Sequence, residues 1–381
     1  MTSLVAPRPA TMCAITRLVV MIPAHNECLV LGAALASVMS QTGADDVVLV
    51  IADNCSDNTA EIARSAGADV FVTHGNTYKK AGALNQALEH LLPLVQDDCA
   101  ICVMDADSSL AHDFIRTALA TLNSALVPRQ RRRKSRQVSS AEQIAAVGGI
   151  FFGHPGGGLV GQFQRNEYLR YARQVQASGK VWVLTGTGSM FRAGALRDVL
   201  RARIAGELPG EPSVYDILSL TEDNELTLAL KSLGYKVASP TGCRVDTEIM
   251  PTWTKLWHQR LRWQRGALEN LRHYGWNPTT KPYFFQQGLS LLGVAFFSLY
   301  LLTTSMNLLT LHKVNFQGFW LGVTCFFIVE RVVTVRRGGL RAMLIAAPLV
   351  SELAYSFFLQ IVLLKAVVDV LRRADAQWGQ N

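Results

Sequence analysis

"AICVMDADSS", residues 100–109, decides how the first two thirds of this chain are read. An apolar run leads straight into Asp105 and Asp107, and then into two serines. A short run with no polar alternation suits a strand buried on both faces, as in a parallel sheet covered by helices. Residues two apart on a strand leave the same face, so the two carboxylates emerge together at its carboxyl end. In open α/β sheets that end is where ligands bind. Oxygen ligands at that spacing suit Mg²⁺ or Mn²⁺, which would bridge the phosphates of a nucleotide. Taken singly, an Asp-x-Asp is also what a solvated turn looks like.

The same plan repeats outward in both directions. "RLVVMIP", "DVVLVIAD", "DVFVTH", "AAVGGIFF" and "VWVLTGTG" read as strands. "CLVLGAALASVMSQ", "NTAEIARSAG", "KAGALNQALEHLL" and "AHDFIRTALATLNSAL" read as helices between them. The alternation predicts an α/β domain with a mostly parallel sheet over 17–250, after a short N-terminal segment, 1–16. Polar clusters, "PAHNE" and "DNCSDNT", follow the first two strands just as "DADSS" follows the fourth. Cys99 and Cys102 form a CxxC, but within a strand they point to opposite faces, which argues for small core residues rather than a metal site or disulfide. Seven scattered cysteines read as a reducing compartment, and 1–17 lacks an apolar stretch long enough for a signal peptide.

The 381 residues carry a net charge of +8, with 49% hydrophobic residues. Mean hydropathy is +0.18, with most of the apolar excess after Tyr283. Stretches 284–311, 316–335 and 340–371 are candidates to cross a bilayer, which takes ~20 apolar residues. The third, holding Pro348, is too long for one upright helix and reads as one tilted helix or a broken pair. Flanking charges put "RRGGLR" and the basic catalytic half on the cytoplasmic side, that of a bacterial inner membrane, and "HKVN" outside. A basic loop within 127–143, dense over 129–136, is expected to be solvated or to meet anionic headgroups. No aromatic platform accompanies it, which argues against nucleic acid.

Two further stretches carry chemistry. In "LTEDNELTLALKSLGY", Thr221 reads as a helix N-cap with Glu222, Asp223 and Glu225 in the first turn. Carboxylates there are favoured by the helix dipole whatever their role, and the dipole also keeps an aspartate ionised, as a general base must be. In "LWHQRLRWQRG", Gln259, Arg262 and Trp263 share one helical face within an amphipathic region, 251–282. An arginine, an amide and an indole on one face can grip a diphosphate and stack on a sugar; they also suit an interfacial helix at headgroup level.

The order "PAHNE", "DNCSDNT", "KAGALN", "MDAD", "TGTGSMFR", "LTED", "QRLRW", then apolar helices, resembles the membrane-integrated family-2 glycosyltransferases of the cellulose, chitin and hyaluronan synthase type. The resemblance covers 18–266 and implies a nucleotide-sugar-binding fold of the GT-A type. By it, Pro23, His25 and Glu27 would line the nucleotide pocket, Asp53 would read the base, and Lys80 would lie near the nucleotide. Asp105 and Asp107 would handle the diphosphate and metal. Gly186, Thr187, Gly188 and Glu222 would flank the acceptor, and Asp223 would be the general base. Gln259 and Arg262 would hold the diphosphate, and Trp263 the acceptor end.

The expected activity is transfer from a UDP-sugar, less readily a GDP-sugar, to a glycan or lipid acceptor in the membrane, with inversion to a β-linkage. No second carboxylate motif points to a covalent intermediate. Larger members carry helices ahead of the catalytic domain and more behind it. The expectation here is therefore either a homo-oligomer building a polysaccharide or transfer of a few sugars to lipid. A polyprenyl-phosphate glycosyltransferase usually lacks QxxRW, and a non-catalytic nucleotide-sugar sensor would have no need to keep Asp105, Asp107 and Asp223 together.

Overall fold

A computed structural model describes residues 13–124, 144–311 and 318–372; the basic run 129–136 and the "HKVN" loop lie outside these. The chain forms two compact units, one of residues up to Pro155 with Tyr171–Ile249, the other of Gly156–Arg170 with residues from Met250 onward.

The first unit opens with β1 (Arg17–Ala24), α1 (Leu31–Met39), β2 (Val47–Ala52), α2 (Thr59–Ser65), β3 (Asp69–Val72), α3 (Lys79–Leu91) and β4 (Cys99–Val103). It continues through the two-residue β5 (Ser109–Leu110), α4 (Phe114–Ser124), β6 (Ile144–Gly148), β7 (Ile150–Gly153) and α5 (Gly158–Ser178), the last shared with the second unit. It closes with β8 (Ser189–Arg192), α6 (Ala193–Ile204), α7 (Glu222–Ser232), β9 (Lys236–Ala238) and β10 (Arg244–Thr247). Seven strands form one sheet in the order β3-β2-β1-β4-β8-β6-β9, and β5-β10-β7 form a second. Every pairing in the large sheet is parallel except the two made by β8. The central position of β4 explains its lack of polar alternation: all five residues are buried. Leu18, Val20 and Ile22 of β1 share one core with Leu31, Leu35 and Val38 of α1 and Phe114 of α4. Cys99 and Cys102 are free and buried, as core residues.

Two expected strands differ. "AAVGGIFF" is two strands in two sheets, with Gly149 at the crossing. A Cβ there would stand 2.5 Å from Val245 Cγ2 and 2.8 Å from the Gly188 carbonyl oxygen, so the crossing admits only glycine. "VWVLTGTG" is not a strand; the strand starts after it, at Ser189. Its backbone donors go to side chains instead of a ladder: Leu184 N donates to Thr227 Oγ1 (2.9 Å) and Gly186 N to Asp223 Oδ2 (3.0 Å). Thr221 holds the N-cap position of α7, but its side chain makes no capping bond.

The second unit holds the first part of α5, then α8 (Trp253–Tyr274), α9 (Lys281–Leu311), α10 (Gly318–Val335), α11 (Gly339–Ala346) and α12 (Leu349–Arg372). Thr252 Oγ1 caps α8 by accepting from Lys255 N (3.3 Å), and Gly275 ends it at φ 68°. The stretch 340–371 is a broken pair: α11 and α12 part at Ala347 and Pro348, because proline supplies no N–H to continue the ladder. Rings of α5, α8 and α12 stack together, with Phe163 and Tyr355 at 5.0 Å and Trp253 and Phe358 at 5.0 Å. Glu352 of α12 is buried against Arg170 (2.7 Å) and Arg331 (4.0 Å). Among the described residues one helix, Val350–Arg372, is long and apolar enough to cross a membrane, with mean hydropathy 1.8.

One ion pair fixes the loop between α6 and α7. Arg203 Nη2 meets Glu225 Oε2 at 2.5 Å with the side chains 0% and 1% exposed. Arg203 Nη1 also donates to the carbonyls of Ser213 and Val214. Arg203→Met strands the Glu225 charge in the core and should cost about 3–5 kcal/mol. Adding Glu225→Leu should recover part of that loss, read as the midpoint of thermal unfolding.

Candidate active site

The loops after β1 and β2 are tied to each other before they can meet a ligand. Asn26 and Asn54 adopt left-handed conformations, φ 56° and 49°, which asparagine tolerates better than most residues. Asn26 Oδ1 accepts from Ser56 N (2.8 Å), Glu27 N donates to Thr59 Oγ1 (2.9 Å) and Cys28 N to Asp57 Oδ2 (3.1 Å). His25 Nδ1 donates to the Asp53 carbonyl (2.6 Å), so this ring nitrogen carries a proton. Pro23 pairs with Ile51 in the sheet just before this loop.

Asp53 is 7% exposed. Its Oδ1 accepts from Thr73 Oγ1 (2.7 Å), Asn76 Nδ2 (2.9 Å) and Asn54 Nδ2 (3.2 Å). Gly82 lets α3 pass close to this group: a Cβ there would fall 2.1 Å from Asn76 Oδ1 and 2.8 Å from Tyr78 Cβ. The glycine of "KAGALN" therefore holds Asn76, and through it Asp53. Neither Asn76 nor Thr73 was legible as part of the site, because no spacing rule links them to Asp53.

Lys80 gathers the remaining elements. Its Nζ lies 2.5 Å from Asp105 Oδ1, 3.4 Å from Glu222 Oε1 and 3.5 Å from the Gly186 carbonyl. Gly186 N in turn donates to Asp223 Oδ2, while Asp223 Oδ1 accepts from Asn224 N (2.7 Å). Thr187 Oγ1 donates to Thr185 Oγ1 (3.0 Å), and Gly188 N to the Thr185 carbonyl (3.3 Å), shaping the turn before β8. Asn85 of the same "KAGALN" stretch bonds both backbone groups of Tyr215, at 2.8 and 2.9 Å. Tyr215, Lys80, Leu226 and Asp223 all line one small cavity.

Burial and charge act on these groups in opposite senses. Burial works to lower Lys80, but Asp105 and Glu222 outweigh it and hold the ammonium protonated well above its usual range. Burial, with Glu222 beside it, pushes Asp223 up to about 6, against the pull of Lys80. Burial also raises Asp105, where Lys80 opposes it and Asp107 adds to it. Asp107 is raised by burial and by Glu248, despite the Ser108 hydroxyl. Glu27 is raised by burial, then by Asp107 and Glu248. Glu248 was not read from the sequence; it follows Thr247, whose hydroxyl accepts from Ser108 Oγ (3.0 Å) and so anchors the end of β10 beside the Asp-x-Asp turn.

On α8, Gln259, Arg262 and Trp263 are half-buried, and the buried arginine of the motif is its neighbour Arg260, 3% exposed. Arg260 Nη1 donates to Gln259 Oε1 (3.1 Å), and its guanidinium lies 4.3 Å from the centre of the Trp263 ring.

The chain is similar in sequence to several known proteins. A probable glycosyltransferase, YdaM, of Bacillus subtilis is 26% identical over 65% of this chain and 54% of its own length. The beta-monoglucosyldiacylglycerol synthase of Trichormus variabilis is 26% identical over 60% of this chain and 43% of its own. The poly-beta-1,6-N-acetyl-D-glucosamine synthase of Staphylococcus aureus is 24% identical over 73% and 62%. The chain thus spans about half the length of the curated relatives it matches. Among solved structures, the mannosyltransferase PcManGT from Pyrobaculum calidifontis, in complex with GDP-Man and Mn²⁺, superposes with a TM-score of 0.54 at 17% identity, covering 97% of this chain and 90% of that one. The shared fold is the GT-A-like α/β type. Residues 16–266, which hold both the Lys80 cluster and "QRLRW", match the family described as glycosyltransferase like family 2, and the chain belongs to that family.

Proposed function

We propose that the protein is a membrane-bound inverting glycosyltransferase that moves a sugar from a UDP-sugar to a glycan or lipid acceptor. The observation that carries this reading is the Lys80 cluster, in which a half-buried, ionisable Asp223 is held by Gly186 N beside the Asp-x-Asp turn. Asp53 would read the base, with Pro23, His25 and Glu27 around the nucleoside. Gln259 and Arg262 would grip the diphosphate. Gly186, Thr187, Gly188 and Glu222 would flank the acceptor, and Trp263 would stack on it.

A divalent cation fits the donor set. Asp105, Asp107, Glu27 and Glu248 bear on one another as like charges, an excess a hard cation would relieve, and all their donors are oxygens. Among the described residues no cluster of three or more ligating side chains is formed, so Asp105 and Asp107 would hold Mg²⁺ or Mn²⁺ with phosphate and water completing the shell. Such a cation supplies charge neutralisation to the departing diphosphate.

In the reaction, Asp223 takes the proton from the acceptor hydroxyl. That oxygen bonds to the anomeric carbon as the carbon–oxygen bond to the diphosphate breaks, and its electron pair leaves with the diphosphate. One base and one displacement invert the centre, giving a β-linkage from an α-linked donor.

Membrane attachment is supported by α12 and by α9. Phe285, Leu289, Leu292, Phe296, Leu299 and Leu302 of α9 are each at least half exposed at spacings of three and four, a stripe that water would not favour. The broken pair α11–α12 accords with a cytoplasmic catalytic unit. A polyprenyl-phosphate glycosyltransferase is the nearest competing reading, and "QRLRW" weighs against it.

The test is release of UDP or GDP from UDP-glucose, UDP-N-acetylglucosamine and GDP-mannose by the detergent-solubilised full chain, with Mn²⁺ and membrane lipid extract. Turnover with one donor is expected; binding of UDP without turnover on any donor would overturn the reading. Asp223→Asn should lower turnover by about 10²–10⁴-fold while leaving UDP affinity nearly unchanged. Because the carboxyl must be ionised to accept a proton, kcat/KM should drop by about tenfold per pH unit below about 6 and level off above it, and the Asn variant should lose that limb. Gly82→Ala should weaken UDP binding, measured by calorimetry, since its methyl displaces Asn76 from Asp53.

A further inference from the structure

Arg260 lies inside "QRLRW" but holds none of the roles assigned above. It is nearly fully buried, and its contacts are unlike those of a surface arginine. Nη2 donates to Glu167 Oε2 at 2.9 Å, Nη1 to Gln259 Oε1 at 3.1 Å, and the planar cation faces the Trp263 indole at 4.3 Å. Arg260 and Trp263 are three apart on α8, the spacing at which helix side chains meet. The Tyr168 ring closes in at 5.6 Å. Glu167 is fixed in turn, because the same Oε2 accepts from the Tyr355 hydroxyl of α12 at 2.5 Å. Burial works against the guanidinium, and the Glu167 carboxylate more than offsets it, so the cation is permanent.

The geometry points to Arg260 as a positioning residue that presets Gln259 and Trp263, with Glu167 and Tyr355 as its support. The inference rests on the roles proposed for Gln259 and Trp263. An indole on an exposed helix face would sample several rotamers; a buried cation stacked on one face restricts it, and a guanidinium fork bonded to both a carboxylate and an amide restricts Gln259 as well. Held side chains cost less ordering when the substrate arrives, so presetting Gln259 favours binding of the diphosphate and presetting Trp263 favours transfer to the acceptor. The support reaches α12, so the apolar helix shares in holding the motif. Lysine cannot replace the fork: it keeps the charge toward Glu167 but lacks the planar face and the second donor.

The experiment uses the full chain in detergent with 5-fluorotryptophan incorporated, the Trp263 fluorine resonance being assigned through Trp263→Phe. Arg260→Met, Arg260→Lys and Tyr355→Phe are compared with the parent for that resonance, for UDP affinity with Mn²⁺, and for kcat and KM on the donor selected by the panel. Arg260→Met is expected to shift or broaden the resonance, to weaken UDP affinity by a few-fold through Gln259 and to lower kcat by about tenfold, Arg260→Lys to recover little, and Tyr355→Phe to give a smaller change of the same kind. Combining Arg260→Met with Trp263→Ala should lower kcat by less than the product of the two single losses, because part of the Arg260 effect runs through Trp263. An unmoved resonance, or losses that multiply in the double variant, would overturn the inference. Full turnover by Trp263→Ala, with the resonance still moved by Arg260→Met, would instead remove the proposed role of Trp263 and leave the clamp standing.

Discussion

One ammonium group organises the catalytic unit. Lys80 sits at the start of α3, Asp105 after β4, Gly186 in the turn before β8 and Glu222 at the head of α7, and the lysine reaches all three of the others. Without it, the buried Glu222 and the half-buried Asp105 and Asp223 would crowd together as like charges, which a partly desolvated site disfavours. The same cation keeps Asp223 from rising further toward neutrality, so the charge state of Asp223 depends on a neighbour as well as on its own burial.

The position of β8 gives this cluster its shape. The parallel strands deliver the loops that follow them to the site edge, as β1, β2 and β4 do. The antiparallel β8 delivers the loop that precedes it, so "TGTG" arrives from the opposite direction and its Gly186 amide donates to Asp223. Both backbone donors that a strand would have used there are spent on side chains of α7.

This accounts for what the sequence could and could not reveal. The core strands and the Asp-x-Asp turn were legible because burial on both faces leaves a continuous apolar run, and Asp223 because it stands in a helix's first turn within a recognisable motif order. "VWVLTGTG" carries the same apolar signal as a strand, since Val181 and Leu184 are buried, yet its partner groups lie some forty residues away and leave no local trace. Asn76, Tyr215 and Glu248 were missed for the same reason: their link to the site is through folding and not through spacing. Arg260 was the reverse case. Its distance of three residues from Trp263 was visible, but attention to the exposed basic face hid the arginine that is buried.

The shared helix α5 has a consequence for how the chain can be divided. Residues 156–170 lie between strands of the catalytic unit in sequence, yet Phe163 and Glu167 find their partners in α8 and α12, which are synthesised about a hundred and two hundred residues later. A fragment ending near Ile249 would contain every strand and every carboxylate of the Lys80 cluster, and would still present an orphaned aromatic face and an unpaired acid. No single cut releases one unit whole. Helices α8 and α12 in this sense form one folding unit with the first part of α5, and a nascent chain must shield that face until α12 has emerged.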